Sequence, residues 1–374
     1  MGELGSGSQP RILHVAQPTT EGVAVVVADL VGELVRRGWS VTVACPTGGY
    51  LEPRVREAGA RHGRWEATRT PGWRSAPETR SLRRIIAQTR PDVVHLHSSK
   101  AGLAGRLALR GRLPTVFSPH AWSFLHAHGL QGTLALRWEQ AATRWTDVIL
   151  CGSLDEVATG EAAGIRGNYE MISNSIESPP STVDRRQARV ELQLPLDAPM
   201  CVCLGRLTAQ KGQDVLLRGW PAVRRAVPEA RLILVGDGPD RVKLESMSSP
   251  GVQFAGAALK ENVPLWIAAA DVLAFPSRWE TLSLAVLESL AGGRAVIVSD
   301  CSGMSEAMAG GAGRMVPVDD VEGFAQAVVD YLGDLRFCHA EGERSRAAFE
   351  HVHETRRREN LDRYARLLDG LRSA

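Results

Sequence analysis

The chain has 374 residues, of which 44% are hydrophobic and 23% are charged, and its formal net charge is +2. This length exceeds one ordinary hydrophobic core, which predicts two domains. No apolar run approaches the roughly 18 residues that a membrane-spanning helix needs, which argues against an integral membrane protein. Residues 2–8 lack the basic and apolar regions of a signal peptide and are interpreted as a short disordered leader.

Apolar segments alternate with helical periods in the first half of the chain. A helix is predicted to open at Gly22, with apolar residues at helical spacing, and to end at Arg36-Arg37-Gly38. Strands are predicted at Ile12–Ala16, Val41–Ala44, Val93–Leu96, Thr115–Phe117, Val148–Leu150 and Tyr169–Ile172. The alternation predicts a parallel sheet with helices on both faces.

A break at Ser175–Ala188 interrupts this rhythm, because the Pro179-Pro180 pair continues neither regular structure. Strands are predicted again at Met200–Leu204, Leu232–Val235, Val252–Phe254, Val272–Phe275 and Ala295–Val298. The predicted fold class is α/β, with two tandem Rossmann-like doubly wound domains and a cleft between them. The boundaries are set at 1–178, 179–345 and 346–374, the last being a helix that packs back on the first domain.

Three features of the first half could bind a ligand. Glu21-Gly22 joins the first strand to its helix, and a glycine there lets the backbone approach a ligand, although the same residues could simply start the helix. His120 follows the strand Thr115–Phe117, a position that favours function over the structural role that is more usual for a lone histidine. His95 and His97 alternate on one strand and are interpreted as core or loop supports.

Cationic residues follow the first strand of the second half. Arg206 and Lys211 lie at its carboxyl end, where a guanidinium fork and an ammonium suit a diphosphate. Taken alone, such a pair is usually a surface feature. The segment Gly236-Asp237-Gly238 lacks the Gly-x-Gly-x-x-Gly spacing of a dinucleotide site, so a nucleotide-binding turn and a plain strand-to-helix turn both stay open.

Glu280 and Glu288 are separated by seven residues and follow the strand Val272–Phe275. We interpret the segment as a loop with one carboxylate, a helix start, and a second carboxylate two turns inside the helix, about 12 Å from the first. The amides of a helix N-terminus bind phosphate. An extended ligand with hydroxyls at both ends and phosphate in the middle fits this order, and a sugar nucleotide is such a ligand.

Cysteines and acidic motifs give little sign of a metal. The six cysteines lie at 45, 151, 201, 203, 301 and 338, without zinc spacing, and are interpreted as small core residues in a reducing cytoplasm. No Asp-x-Asp motif signals Mg²⁺ or Mn²⁺, so Arg206, Lys211 and the helix N-terminus would supply the positive charge. No metal and no cofactor are predicted.

Positive charge is concentrated in residues 54–112, which hold 14 basic and 4 acidic residues. A solvated face explains this as well as peripheral contact with an anionic membrane surface or an anionic acceptor does. Nucleic acid is disfavoured, because aromatic residues are not interleaved with the basic ones. The predicted location is the cytoplasm, with the inner face of the membrane left open.

Taken together, these motifs resemble the large family four of retaining glycosyltransferases, whose members have the GT-B fold of two Rossmann domains. The matching features are Glu280 to Glu288, Gly205-Arg206-Leu207 with Lys211-Gly212, Val235–Pro239, Ala270-Asp271-Val272 before Pro276-Ser277, Asn174-x-Ile176 and the Gly22 helix start. Two departures are Glu21-Gly22, where the family usually has Gly-Gly, and Thr281-Leu282-Ser283, which replaces a common Gly-Phe-Gly.

The resemblance implies roles for the site residues. Catalysis is implied for Glu280, which contacts the transferred sugar, and for His120, which approaches its reacting carbon. Donor binding is implied for Arg206, Lys211, Leu282, Ser283, Leu284, Glu288 and Gly256. Glu21 and Gly22 are implied in the approach of acceptor or phosphate, so the first domain binds the acceptor and the second binds the nucleotide sugar.

The implied reaction is metal-independent sugar transfer with retained anomeric configuration, by same-face attack in which the leaving phosphate helps to deprotonate the acceptor hydroxyl. The acceptor could be a small molecule, a polysaccharide or a lipid-linked compound. A sugar-nucleotide 2-epimerase of the same architecture is the main alternative. A dinucleotide-dependent oxidoreductase and a non-catalytic sugar-nucleotide or membrane-docking protein are weaker ones.

Overall fold

A computed structural model describes residues 9–68, 72, 75–125, 129–176 and 183–373 of the chain, and the backbone but not the side chain of Glu21. The chain divides into two compact units. The first contains the described residues up to Asn174 together with the chain from Arg358 onward, and the second contains the described part of Ser175–Arg357. The predicted boundary at 178/179 lies outside the described residues and stays a prediction.

The first unit is built on a sheet of parallel strands. Within the described part of the unit these are β1 (Arg11–Ala16), β2 (Ser40–Cys45), β3 (Arg61–Arg64), β4 (Val93–His97), β5 (Thr115–Ser118), β6 (Val148–Cys151) and β7 (Tyr169–Met171). Their order in the sheet is β3-β2-β1-β4-β5-β6-β7. The strand order reverses between β1 and β4, and in folds of this kind ligands bind outside the carboxyl ends of the strands at such a reversal.

Helices cover both faces of this sheet. They are α1 (Glu21–Arg36), α2 (Leu51–Glu57), α3 (Ser75–Thr89), α4 (Ser98–Leu109), α5 (Gly129–Ala142) and α6 (Leu154–Ala162), with short 3₁₀ turns at Ser123–Leu125 and Thr143–Trp145. One apolar core packs against Ile12 and Val116, and the other against Leu13 and Phe117. Because the strands are buried on both faces, they appear in the sequence as continuous apolar runs.

The second unit repeats the design with a smaller sheet. Its described strands are β8 (Met200–Leu204), β9 (Arg231–Val235), β10 (Val252–Gly256), β11 (Val272–Phe275), β12 (Ala295–Ser299) and β13 (Arg314–Val316), in the order β10-β9-β8-β11-β12-β13. These described strands pair with one another in parallel. Both halves therefore confirm the predicted α/β class with a parallel sheet in each.

The helices of the second unit are α7 (Arg185–Glu191), α8 (Gln213–Ala226), α9 (Arg241–Glu245), α10 (Val263–Ala269), α11 (Leu284–Ala291), α12 (Met304–Ala307), α13 (Val321–Gly333) and α14 (Leu335–Ala348), with 3₁₀ turns at Ala209–Lys211 and Lys260–Asn262. A π-helical turn, Phe349–His353, joins α14 to α15 (Glu354–Ser373). Most of α15 lies beyond Arg357 and so belongs to the first unit.

One element contradicts the predicted break at Ser175–Ala188, because α7 begins inside it at Arg185. Asp184 caps this helix by accepting hydrogen bonds from the amides of Arg186 (2.9 Å) and Gln187 (3.1 Å). Arg189 of α7 then donates to the buried carboxylate of Asp271 over 2.9 Å. The proline-rich part of the break, residues 177–182, lies outside the described residues.

Two further findings concern residue types. Five of the six cysteines are buried, as expected of small core residues, and Cys301 is half-buried. Cys201 and Cys203 belong to the same apolar core. Within the described part of the chain, every helix is too short or too polar to cross a membrane.

Candidate active site

The predicted cation and acid of the second unit meet at the carboxyl edge of its sheet. β8 pairs with β11 in parallel, so the loops that follow them are neighbours. Lys211, after β8, donates a hydrogen bond to a carboxylate oxygen of Glu280, after β11. The same oxygen accepts a hydrogen bond from Ser277 over 2.8 Å. The carboxylate of Glu280 is thus oriented by a cation and a hydroxyl.

Backbone packing at Gly212 brings the two loops this close. Gly212 has a φ of 66°, and a Cβ atom on it would lie 2.0 Å from the carbonyl oxygen of Pro276. The side chain of Gln213 donates to the carbonyl oxygen of Arg206 over 2.9 Å, which ties the start of α8 to the same loop. Only glycine can occupy this crossing without moving one of the loops.

Arg278 connects the segments that carry the site through ion pairs. Its guanidinium donates to both carboxylate oxygens of Asp214, over 3.0 and 2.9 Å, and also pairs with Asp319. Partial burial opposes ionisation of Asp214, but the hydrogen bonds from Arg278 outweigh it and hold the pKa of Asp214 below its usual value. The Arg278 pair joins the β11–α11 loop to α8, the helix that follows Lys211.

The helix after Glu280 begins later than the sequence predicted. α11 starts at Leu284, with Ser283 as its N-cap, so Glu288 is the fifth residue of the helix and lies just over one turn inside it, not two. The preceding loop is held by Ser302, which donates to the carbonyl oxygen of Glu280 over 3.2 Å. Gly303 packs so tightly below this loop that a Cβ atom there would lie 2.2 Å from the carbonyl oxygen of Thr281.

Glu288 has a partner that the sequence did not reveal. Lys260, in the turn after β10, donates a hydrogen bond to its carboxylate. Both side chains keep some exposure, at 29% for Lys260 and 17% for Glu288. The pair therefore remains accessible to a polar ligand, and the first amides of α11, which have no acceptor inside the helix, belong to the same element.

The segment Gly236-Asp237-Gly238 has a structural role in the described residues. The amide of Leu207 donates to the carbonyl oxygen of Asp237 over 2.9 Å, and the amide of Asp240 donates back to Leu207 over 3.1 Å. The turn therefore fixes the loop that carries Arg206, which supports the strand-to-helix interpretation left open above.

A column of histidines crosses the first unit. His14 of β1 lies opposite His95 of β4 in register, and His97 lies two residues further along the same strand. Side chains two apart on a strand share one face of the sheet, so all three project into the same layer. Each of the three is fully buried, and His120 follows the neighbouring strand β5.

These rings form two separate hydrogen-bonded groups. In one, Nδ1 of His14 lies 2.9 Å from Nε2 of His97, and Nδ1 of His97 lies 3.1 Å from Nε2 of His120. In the other, His95 binds the hydroxyl of Tyr364 through Nδ1 (2.7 Å) and that of Ser118 through Nε2 (2.9 Å). Tyr364 lies on α15, so the last helix completes the environment of these strands.

Burial keeps the imidazoles neutral. It lowers the pKa of His14 to about 3 and that of His120 to about 4, because a charged ring is poorly solvated there. The pKa of His97 is lowered well below its ordinary value by burial and by the neighbouring histidines. At neutral pH each ring therefore has one donor nitrogen and one acceptor nitrogen.

His14, His95 and His97 also form a candidate metal group, since their ligand atoms lie within 4.8 Å of one another. The ring geometry argues against this use. A metal ion held by imidazole nitrogens at about 2.0–2.1 Å needs rings that radiate from one point. The ring centroids of His95 and His97 are only 3.8 Å apart, and both nitrogens of His95 already have hydroxyl partners.

Comparison with known proteins identifies the family. The family model described as Glycosyltransferase Family 4 matches residues 20–178, and the one described as Glycosyl transferases group 1 matches residues 198–334. The GDP-mannose-dependent alpha-(1-6)-phosphatidylinositol monomannoside mannosyltransferase of Mycolicibacterium smegmatis is 30% identical over 354 residues, which cover 87% of this chain and 89% of the relative. The chain belongs to glycosyltransferase family four.

Other comparisons agree with this assignment. Alpha-maltose-1-phosphate synthase of Mycolicibacterium smegmatis is 29% identical over 270 residues, covering 65% of this glycosyltransferase and 69% of the relative. The crystal structure of Anabaena HepE with UDP and glucose aligns with a TM-score of 0.81 at 18% identity, covering 97% of this chain and all of that one. Sucrose-phosphate synthase of Thermosynechococcus elongatus aligns with a TM-score of 0.78 at 20% identity, covering 97% of this chain and 100% of that one. These structures confirm the predicted GT-B fold, and the named relatives do not favour the epimerase alternative.

The predicted site residues of this glycosyltransferase fall into two groups. Arg206, Lys211, Gly256, Glu280, Leu282, Ser283, Leu284 and Glu288 belong to the second unit, and Gly22 and His120 belong to the first. Gly22 lies in the first turn of α1, and the side chain of Glu21 lies outside the described residues. The ligand roles of all these residues stay predictions.

Two further residues were missed by sequence reasoning. His14 is the single polar side chain inside the apolar strand Ile12–Ala16, and a buried polar residue is a usable signal because it must find a partner. Lys260 gave no such signal, because a lysine in a polar loop is ordinary. Its pairing with Glu288 depends on the way β10 and α11 pack.

Proposed function

We propose that this glycosyltransferase transfers a sugar from a nucleotide-diphosphate sugar to an acceptor hydroxyl, with retention of configuration and without a divalent metal ion. The proposal depends on the carboxyl edge of the second sheet. There Lys211 orients the carboxylate of Glu280, and α11 begins four residues later, at Leu284. A cation, an oriented carboxylate and a helix N-terminus are the groups that a sugar diphosphate requires.

Relatives support the nature of the donor. The mycobacterial relative uses GDP-mannose, according to its name, and the Anabaena structure contains UDP and glucose. A nucleotide sugar is therefore the proposed donor of this chain. Glu288 is proposed to bind the ribose hydroxyls, as carboxylates do, and the backbone at Gly256 to approach the base.

The proposed mechanism relies on stabilising the leaving group. Negative charge grows on the diphosphate as the bond to the sugar breaks, so fixed positive groups lower the barrier if they already face it. Arg206, Lys211 and the first amides of α11 are proposed to do this. Glu280 and His120 are proposed to contact the sugar, and the departing phosphate to take the proton of the acceptor hydroxyl on the same face.

A donor panel tests these statements. Purified protein is incubated with GDP-mannose, UDP-glucose and UDP-N-acetylglucosamine, with EDTA or with Mg²⁺, and slow donor hydrolysis is followed. We expect one donor to be hydrolysed equally well in EDTA. In a second incubation of that donor with an acceptor alcohol, we expect the anomeric proton of the glycoside product to show the donor's configuration by NMR. Dependence on Mg²⁺ or an inverted product would overturn those parts, and an epimer formed from donor alone would favour the epimerase instead.

We also propose that the acceptor is lipid-linked and that the basic stretch 54–112 contacts an anionic membrane surface. The mycobacterial relative is named for a phosphatidylinositol acceptor. Lys100 and Arg106 do not contribute, because both are buried in ion pairs with Glu78 (2.6 Å) and Glu139 (2.7 Å). Exposed arginines such as Arg80 and Arg84 on α3 remain.

Vesicle flotation tests the membrane contact. We expect binding to vesicles that contain anionic lipid, loss of binding at high salt, and weaker binding after Arg80→Gln with Arg84→Gln. Vesicles of neutral lipid are the control. Equal binding of wild type and variant to both vesicle types would contradict the proposal.

A further inference from the structure

We propose that His14 and His97 are positioning residues that fix the tautomer of His120, so that its single proton lies on Nδ1. The inference rests on the proposed contact of His120 with the sugar. It goes further by assigning His120 a chemical form and by giving two buried residues, which no ligand needs to touch, a part in the reaction.

The first step follows from counting donors and acceptors along the chain of rings. His97 lies between two imidazoles, at 2.9 Å from His14 and 3.1 Å from His120. A neutral imidazole donates from one nitrogen and accepts at the other. The hydrogen bonds on the two sides of His97 therefore run in the same direction. If His97 accepts from His14, it donates to His120; if it accepts from His120, it donates to His14.

The second step sets that direction. Nε2 of His14 is buried and has no hydrogen-bond partner within the described part of the chain. If the chain ran from His120 towards His14, this nitrogen would carry a buried N–H without an acceptor, which is rare and costly. If the chain runs from His14 towards His120, it carries only an unused lone pair. The proton of His14 therefore lies on Nδ1, and that of His97 lies on Nδ1 as well.

The third step gives the state of His120. Its Nε2 accepts from His97, so the remaining proton lies on Nδ1. The neutral state is reinforced by burial, which holds the pKa of His120 at about 4. The backbone holds the ring in place, because His120 has a φ of 49° and the next amide, that of Ala121, donates to the buried carboxylate of Glu156 over 2.7 Å.

A chemical consequence follows. With Nε2 occupied and Nδ1 protonated, His120 can donate a hydrogen bond to a sugar oxygen but has no lone pair to accept a proton. It therefore acts as a neutral donor and not as a general base. This agrees with a reaction in which the leaving phosphate, not a side chain of the first unit, deprotonates the acceptor.

The hydrogen bond between His95 and Tyr364 provides a matched control beside the same cluster. Its nitrogens bind Tyr364 and Ser118, not the His14–His97–His120 chain. Tyr364→Phe removes a buried hydrogen bond beside these rings without removing any link of the chain. A loss that is merely structural should appear in this variant as much as in a variant of His97.

The test combines NMR with kinetics. In the full-length protein labelled with ¹⁵N-histidine, long-range ¹H–¹⁵N spectra report which ring nitrogen carries the proton. We expect His120 to be the Nδ1–H tautomer in wild type and in Tyr364→Phe, and to be a mixture in His97→Leu. His97→Gln, which keeps one donor and one acceptor, should restore part of the wild-type pattern.

Kinetics supply the second readout. His97→Leu should lower kcat by about tenfold to a hundredfold, the cost of a misplaced catalytic group. The donor KM should change much less, because the diphosphate and ribose contacts are proposed for other residues. Tyr364→Phe should keep kcat within about twofold of wild type. Equal losses of kcat in the two variants would overturn the positioning role.

The remaining outcomes separate this inference from the proposed function. An Nε2–H signal for His120 in wild type would overturn the inference and leave the sugar transfer untouched. Normal transfer by His120→Ala, with the Nδ1–H signal present in wild type, would support the tautomer and overturn the sugar contact. One equivalent of tightly held zinc in the purified protein, with metal-shifted His14 and His97 signals, would overturn the hydrogen-bonded chain.

Discussion

Lys211 and Glu280 are better understood as a pair than as two independent ligand contacts. The carboxylate is only 8% exposed, whereas the lysine is 24% exposed, so the lysine is the more accessible of the two to a ligand. A buried carboxylate needs a compensating charge, and Lys211 supplies it. In the proposed reaction, the diphosphate would share the ammonium of Lys211 with Glu280 and be oriented by it.

Replacing Lys211 tests this arrangement. We expect Lys211→Gln to lower kcat/KM by about a hundredfold to a thousandfold, comparable to the removal of one preorganised donor from an oxyanion site. Arg314→Gln, which removes a cation from the edge strand β13 and its ion pair with Asp330, is the control. Circular dichroism verifies that both variants fold, and near-normal transfer by the Lys211 variant would refute the role.

The second prediction concerns the contribution of Glu288 to nucleotide affinity. Glu288→Gln should weaken nucleotide binding by about tenfold or more, since a hydrogen bond to a charged group contributes about 1.5–3 kcal/mol. Isothermal titration with GDP and UDP measures this. Glu245→Gln, which removes a carboxylate from the exposed pair with Arg241, should leave affinity unchanged. Unaltered affinity in both variants would count against the ribose contact.

The loops that carry the site depend on backbone contacts that side-chain patterns do not encode. Gly212 and Gly303 allow the β8–α8 and β11–α11 loops to pack against neighbouring backbone. This packing delays the start of α11 to Leu284. The sequence motif from Glu280 to Glu288 could not reveal that delay, because helical propensity continues through the segment and only the tertiary contact interrupts it.

Gly212→Ala tests the loop crossing. The added Cβ meets the carbonyl oxygen of Pro276 at 2.0 Å, so we expect a loss of unfolding free energy of about 2 kcal/mol or more in urea titrations, together with loss of transfer. Gly311→Ala is the matched control. Gly311 also has a positive φ, 75°, but nothing lies within 4 Å of a Cβ there, so only the conformational cost of about 1–2 kcal/mol applies. Equal destabilisation of the two variants would mean that the crossing adds nothing.

Most elements were predictable because their strands are buried on both faces. Two edge strands were missed: β3 is Arg-His-Gly-Arg, and β13 has only three residues. An edge strand lacks the apolar run that marks a central one, so its pairing partner decides its structure. The candidate site was predictable only in part. Single residues at strand ends could be identified from the sequence, whereas the pairs Lys260–Glu288 and His14–His97 join distant segments and depend on tertiary packing.

Across the first unit, four histidines with lowered pKa values link stability to pH. The unfolded chain binds protons at the ordinary histidine pKa of about 6.5, whereas the folded rings stay neutral to much lower pH. The unfolded state therefore gains protons first as pH falls, and the free energy of unfolding decreases below about pH 6.5. Glu156, whose pKa is raised by burial, acts in the opposite sense at lower pH.

Urea titrations between pH 7.5 and pH 5 measure this slope. Each histidine contributes about 1.4 kcal/mol per pH unit once the pH is well below 6.5. His14→Gln removes one titrating ring, so its slope should be smaller than that of wild type by about that amount, whatever its stability at pH 7.5. Identical slopes would show that His14 is not held neutral in the folded protein.

Because most of α15 belongs to the first unit, that unit cannot be completed until late in translation. His95 and Tyr364 are 269 residues apart in sequence, and translation adds about 5–20 residues per second, so the strand waits roughly 13 to 54 seconds for the tyrosine that completes its surroundings. During that interval the nascent sheet presents Ile12, Val93 and Val116 on a face that α15 later covers in part. This apolar face of the first unit therefore stays partly uncovered, and open to aggregation, until Tyr364 has been translated.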